Sequence, residues 1–144
     1  WPNDIHYNRL KLCGILTEGI FGKNSILVVG IGLNVNQVKF PKEISKIATS
    51  LKITTKKDFS KKMLLKNILH EFEILYNYYK NESFQLIVKE WKRYSDTIGR
   101  RVKILSKNKK YKGLVADVDN DCSLILKAAN GRLVRIIEGD LFYD

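Results

Sequence analysis

The chain has little proline, cysteine or histidine, and each shortage removes a class of explanation. Two prolines in 144 residues leave no room for a long proline-rich linker. Cys13 and Cys122 lie far apart and make no CxxC pair, so no disulfide framework is expected, only two reduced thiols in a cytoplasmic protein. His6 and His70 are the only histidines, too few for a Cys/His metal cluster, and no metal ligand is assigned. No apolar run approaches the roughly 18 residues of a spanning helix, so no membrane partner is expected. The first residues lack the basic start and apolar run of a signal peptide. Acidic residues are also short: 15 Asp and Glu face 26 Lys and Arg, a net charge of +11. Such a balance favours anionic partners. A chain rich in Lys, Asn and Ile also reaches it by compositional bias, and both readings stay open.

What is present is enough for a core, with 44% apolar and 28% charged residues. The length suits one domain, or one domain and a small module. Residues 11–18 and 26–36 read as two apolar, β-branched strands joined through the Gly-rich segment 19–25, an antiparallel hairpin expected to be covered on one face. Residues 40–51 read as a loop with a short helical turn. Ser60 is placed to cap a helix over 61–80, in which Leu64, Leu65, Ile68, Leu69, Phe72, Leu75, Tyr76 and Tyr79 form a stripe expected to pack into the core. His70 is expected at its surface. A second helix spans about 83–94. From Ile98 onward five short strands alternate with turns at 107–109, 120–121 and 130–131, which fits a small SH3-like β-barrel. The fold class is therefore α+β, a mostly antiparallel sheet with packed helices over residues 1–96, followed by a barrel over 97–144.

Several motifs fail on spacing. Gly30 and Gly32 lack the third glycine of a dinucleotide fingerprint, and Gly19, Gly22 and Lys23 lack the spacing of a phosphate loop. A second group survives: Asn3, Asp4, Lys11, Gly14, Gly30, Gly32 and Asn34. Lys11 opens an apolar strand, where a tethered cation stabilises charge on a phosphate or an activated acyl group. Gly14, Gly30 and Gly32 weaken strands unless a ligand or a backbone approaches closely. Asn34 carries both an acceptor and donors, the set that reads an adenine edge. Each also has a plainer reading. Lys11 can be a solvated lysine, the strand glycines can accommodate a bulge, and Asn3-Asp4 can be a turn after Trp1-Pro2.

WPNDI at 1–5, KLCGILTE at 11–18 and VVGIGLNVN at 28–36, in that order and spacing, resemble the biotin protein ligase family. Ala48-Thr49-Ser50-Leu51 after Phe40-Pro41 is similar to the next landmark of that family. Trp91, Ile98-Gly99, Gly113, Leu124, Gly131 and Gly139-Asp140 are similar to its C-terminal module. The resemblance implies part of a class II synthetase-like catalytic domain. It implies a further half of the active site, with a Gly- and Arg-rich loop, upstream of Trp1, and an isolated 1–144 that is inactive. It implies ATP-dependent activation of biotin to biotinyl-5′-AMP, with Mg2+ accompanying ATP. The acyl group would then pass to a lysine of the biotin carboxyl carrier protein of acetyl-CoA carboxylase or a related carboxylase. Lys11 is implied as the residue on the biotin carboxylate and acyl-phosphate. Asn3 and Asp4 would line the adenylate, Gly14 and Ile15 the biotin wall, Gly30 and Gly32 the nucleotide space, and Asn34 would meet the adenine. Homodimerisation through sheet edges is a further expectation. DNA binding is not, since no helix-turn-helix is present. The chain departs from the family at Cys13, where Gly or Ala is usual and an oxidisable thiol is a liability, and in a C-terminus without a basic residue. The alternatives are a related lipoate or octanoyl ligase and a non-enzymatic basic binding module.

Overall fold

The computed structural model describes residues 2–23, 25–107 and 109–144. Trp1, expected to brace the tetrad, and Asn24 and Asn108 in two of the expected turns lie outside them. The chain divides into two compact units, 2–69 and 70–144. The boundary expected at 96/97 falls inside the second.

The first unit is built on a three-stranded antiparallel sheet in the order β1-β2-β3, with β1 Asp4–Tyr7, β2 Leu10–Ile20 and β3 Ile26–Leu33. β1 was not foreseen, because Asn3 and Asp4 also suit a turn. It forms because Asn8 and Arg9 both adopt positive φ, 49° and 67°. That two-residue turn matches the twist of a tight hairpin, and Asn tolerates it well. β2 and β3 pair residue for residue from Cys13↔Leu33 to Ile20↔Ile26, so the expected hairpin is present, although its second strand stops at Leu33. Beyond β3 the backbone of Asn34 closes the unit: its N–H donates to the Leu12 carbonyl, and its carbonyl accepts from the Leu51 N–H. α1, Leu51–Thr55, follows a short helical turn at 41–48. Its cap is Ser50, whose buried hydroxyl accepts from the Ile53 N–H and donates to the Gln37 carbonyl. This satisfies a helix-end donor that would otherwise be buried unpaired.

α2, Lys61–Lys80, starts where expected, with the Ser60 hydroxyl accepting from the Met63 N–H. Its stripe is not core. Leu64 and Ile68 are half-buried, but no residue of α2 is buried, and Leu65, Leu69, Phe72, Leu75, Tyr76 and Tyr79 are exposed. His70 is exposed as expected. The sheet departs in the same way. Ile26, Leu27, Val28, Val29 and Ile31 of β3 are all exposed, so neither face of this strand is covered. A repeat of apolar residues reports that a segment has an apolar face; burial needs a second surface, and the described residues do not supply one.

In the second unit α3, Phe84–Tyr94, buries Val88, and Lys92 pairs with Asp117 at 2.8 Å. Five strands follow: β4 Arg101–Ser106, β5 Lys109–Val118, β6 Leu124–Ala128, β7 Leu133–Ile136 and β8 Asp140–Tyr143. They pair antiparallel in the order β7-β6-β5-β4-β8. This is the expected succession of short strands, arranged as a sheet; among the described residues no ladder joins β7 to β8. Alternation along β4 turns Val102 and Ile104 inward, where Val115, Leu124, Leu126 and Ile136 complete the core. The mixed α+β class read from the sequence is therefore present.

Two glycines of this sheet are required by close approach. A Cβ on Gly113 would lie 2.3 Å from the Lys127 carbonyl oxygen, and one on Gly139, at φ +146°, 2.6 Å from that of Leu105. Both neighbours are backbone and cannot rotate away. Gly113→Ala is expected to destabilise the protein by at least about 2 kcal/mol through overpacking, comparable with the about 2–5 kcal/mol expected for the cavity left by Leu124→Ala. Equilibrium urea unfolding of the two variants checks this.

Candidate functional site

The open end of the three-stranded sheet holds a depression of about 550 Å³ lined by Asn3, Asp4, Lys11, Gly14, Ile15, Leu16, Gly30, Ile31 and Gly32. Seven of the eight residues singled out from the sequence are thus brought together. Asn34 is not among the lining residues. It is half-buried just past β3, and its backbone is fixed at both ends. Leu16 and Ile31 were missed. Their signal was the register itself, since Leu16 pairs with Gly30 and Ile15 with Ile31.

Pairing explains the convergence. Asp4 faces Gly14, and Gly14 faces Gly32, so these three positions share one face of the sheet. The Asn3 carbonyl accepts from the Ile15 N–H at 2.8 Å, which anchors the strand entry beside them. Lys11 is three residues before Gly14, and simple alternation would put it on the opposite face. A β-bulge corrects this. Ile5 pairs with Cys13, but the next pair is His6 with Lys11, which leaves Leu12 as the extra residue. Lys11 is thereby opposite His6, two residues from Asp4 and on its face. The result is an ion pair, Lys11 Nζ to Asp4 Oδ1 at 2.7 Å. The bulge considered for Gly30 and Gly32 does not occur there, because their pairing with β2 is regular.

The backbone of Lys11 is held from outside the hairpin as well. Its N–H donates to the Ile47 carbonyl at 2.7 Å, and its carbonyl accepts from the Thr49 N–H at 2.9 Å. The segment through Ala48 thus adds a short parallel bridge to the strand. The base of the lysine is fixed while its head is partly solvated: the side chains of Lys11 and Asp4 are 46% and 36% exposed. An ion pair of that exposure contributes no more than about 1 kcal/mol, so an incoming anion can displace the carboxylate at small cost. A Cβ on Gly30 or Gly32 would meet only backbone oxygens, at 3.7 and 3.6 Å. Packing within the protein does not demand glycine at either place. What the two glycines do is keep the floor of the depression low.

Lys11 and Asp4 are the only charged residues lining the depression among the described residues. Asp4 and the Asn3 side chain fall short of the six oxygens that Mg2+ prefers, and no group of three His, Cys, Asp or Glu among the described residues could hold a metal. The residues present do not build a Mg2+ site, and no step is derived through one. Cys13, beside the site, is 2% exposed. Burial pushes its thiol up, the Asp4 carboxylate adds to that, and Lys11 offsets part of it. The thiolate fraction at neutral pH is lower than usual, so the liability expected of this thiol is small. Alkylation of Cys13 by iodoacetamide at pH 8 is expected to run at least about tenfold slower in the folded protein than in urea, measured by peptide mass spectrometry.

Comparison with known proteins is consistent across sequence and structure. Residues 97–142 match the family described as the biotin protein ligase C terminal domain. Over 98% of its length the chain is 32% identical to the bifunctional ligase/repressor BirA of Bacillus spizizenii. Over 99% it is 32% identical to the biotin–[acetyl-CoA-carboxylase] ligase of Mycobacterium tuberculosis. The chain is a homologue of the C-terminal part of biotin protein ligases. A biotin protein ligase from Aquifex aeolicus, solved in complex with biotin and ATP, superposes with a TM-score of 0.89 at 28% identity, covering all of this chain and 61% of that one. The chain spans 44% and 52% of the two curated relatives, about half their length. These biotin ligase matches extend over the sheet with the Lys11 depression as well as the C-terminal strands. No helix among the described residues is long and apolar enough to cross a membrane.

Proposed function

We propose that the protein is a biotin protein ligase, which condenses biotin with ATP to biotinyl-5′-AMP and pyrophosphate and passes the biotinyl group to a lysine of a biotin carboxyl carrier protein. The observation that carries this reading is the cation held over a glycine-floored depression in a chain homologous to ligases, one of which binds biotin and ATP. The first step brings a carboxylate oxygen against the α-phosphorus of ATP, two anionic groups that repel. The Lys11 ammonium, released from Asp4, would offset that repulsion and the charge that develops on the bridging oxygen. In the second step the amine of the acceptor lysine attacks the acyl carbon and AMP leaves, with Lys11 on the same oxygens. Asn3 and Asp4 would line the adenylate, Ile15 the biotin side, Gly30 and Gly32 the nucleotide, and Asn34 the adenine. Mg2+ would enter with the phosphates of ATP.

The uncovered apolar faces of β3 and α2 support the same reading from another side. Polypeptide corresponding to the part of the relatives that this chain does not span would cover them and complete the site. The same reading gives the protein a closed SH3-like barrel over 97–144, a cytoplasmic location and pairing into a homodimer. In the natural full-length protein, Lys11→Ala is expected to lower biotin-dependent exchange of labelled pyrophosphate into ATP by at least about 100-fold, the range for losing one electrostatic contact to developing charge. Undiminished exchange would remove Lys11 from the mechanism. Exchange supported by lipoate in place of biotin would overturn the substrate assignment.

A further inference from the structure

We propose that Gly14 and Asp4 are positioning residues that seat the Lys11 side chain, with Gly14 leaving the lane in which its stem lies and Asp4 holding its head. The constraint is steric. A Cβ built on Gly14 would lie 3.2 Å from Lys11 Cε, 3.3 Å from Lys11 Nζ and 3.7 Å from Asp4 Oδ1. The last methylene and the ammonium of Lys11 therefore occupy the space above this residue that a side chain would claim. Of the three glycines lining the depression, this is the one whose missing side chain is used by another residue of the chain. Gly30 and Gly32 have only backbone oxygens nearby, at ordinary contact distance.

The seat has no slack at its base. The Lys11 backbone is bound to Ile47, Thr49 and β1, so a methyl group on Gly14 cannot be relieved by moving the strand. The end of the lysine side chain has to give by a few tenths of an ångström, which shifts the ammonium against its 2.7 Å contact with Asp4. An ammonium that must meet developing charge is sensitive to a displacement of that size. Asp4 defines the other end of the lane. Its carboxylate keeps the ammonium in place when no anion is bound, and its partial exposure lets a ligand oxygen take over that contact. Gly14 thus acts on the chemistry through Lys11, in contrast to a residue that merely walls the ligand.

Two measurements test this, and only the second rests on the proposed ligase activity. In the first, Gly14→Ala, Asp4→Asn and the parent chain, matched by circular dichroism, are acetylated with an N-hydroxysuccinimide acetate, and each lysine is followed by peptide mass spectrometry. Lys11 is expected to react about two- to fivefold faster in both variants, the factor that corresponds to release from a partly exposed ion pair, with the other lysines unchanged. A Lys11 rate that either variant leaves unchanged overturns the role assigned to that residue. Asp4→Asn, a partly exposed change, keeps the proposal open to refutation if Gly14→Ala fails to fold. In the second, the natural full-length protein is assayed for biotinyl-AMP formation. Gly14→Ala is expected to lower kcat about tenfold or more with a smaller change in the KM for biotin, and to cost less than about twofold in a Lys11→Ala background, because residues acting as one unit are not additive. A full, multiplicative loss in that background would place the methyl group against the ligand and overturn the proposal. If the parent protein forms no adenylate, the ligase reading fails while the acetylation rates still decide the seat.

Discussion

One extra residue in one strand determines which way the central cation points. Leu12 is the bulged residue between the pairs His6↔Lys11 and Ile5↔Cys13. Were Leu12 paired regularly with His6 instead, alternation along β2 would send Lys11 to the face opposite Asp4, Gly14 and Gly32, with no glycine floor beneath it. A bulge costs one interrupted step of the ladder. Here the interruption is compensated from the other edge, where Leu12 accepts from the Asn34 N–H and Lys11 bonds to Ile47 and Thr49. The strand is thus irregular where a side chain must be re-aimed and regular everywhere beyond Cys13, where eight consecutive pairs hold β2 to β3.

The same hydrogen bonds that repair the bulge also tie distant parts of the first unit to the depression. Asn34 is bonded on one side to Leu12 and on the other to Leu51, the first residue of α1. Ser50 caps α1 and holds the Gln37 carbonyl. Asn36 exchanges two hydrogen bonds with the backbone of Phe59, just before α2 begins. Polar side chains, rather than a continuous apolar core, therefore fix the path from β3 to α2. Among the described residues of this unit the buried apolar side chains are Cys13 and Val35, and the burial of Thr49 and Ser50 reflects the same economy. A unit so held is sensitive to loss of individual polar partners, because each leaves a buried donor or acceptor unpaired.

Composition and local pattern made most of the second unit legible. Alternation in RVKIL and LILK, with turns at asparagine and glycine, is enough to recover β4, β6 and the turn after Ala128, where Gly131 has φ +81°. In the first unit the residues that meet in the depression were recoverable, but their geometry was not. Asp4–Tyr7 is four residues long, and its turn uses Arg9 at positive φ, which no propensity favours. A bulge has no local signature in LKLCG, since any of its residues could be the extra one. The lane over Gly14 needs both facts, so the sequence suggests a close approach at that glycine without saying what approaches.

The misjudged stripe on α2 separates two statements that periodicity joins. Phe72, Tyr76 and Tyr79 stack one turn apart with centroids 6.1 and 6.2 Å apart, and Tyr79 meets Phe84 edge-on at 6.4 Å. The first two contacts lie along the surface of α2 and the third reaches the first residue of α3, and they order the rings while Phe72, Tyr76 and Tyr79 stay exposed. Along-helix pairs of this kind contribute only about 0.2–0.5 kcal/mol each, far less than the roughly 1.5–3 kcal/mol for fully burying one such side chain. A helix that carries eight apolar positions in register has most of that larger quantity still to gain. The same holds for β3, whose alternate residues are apolar on both faces although strands open to water on one side ordinarily alternate with polar residues. Both segments have the composition of interior elements, and no surface among the described residues covers them.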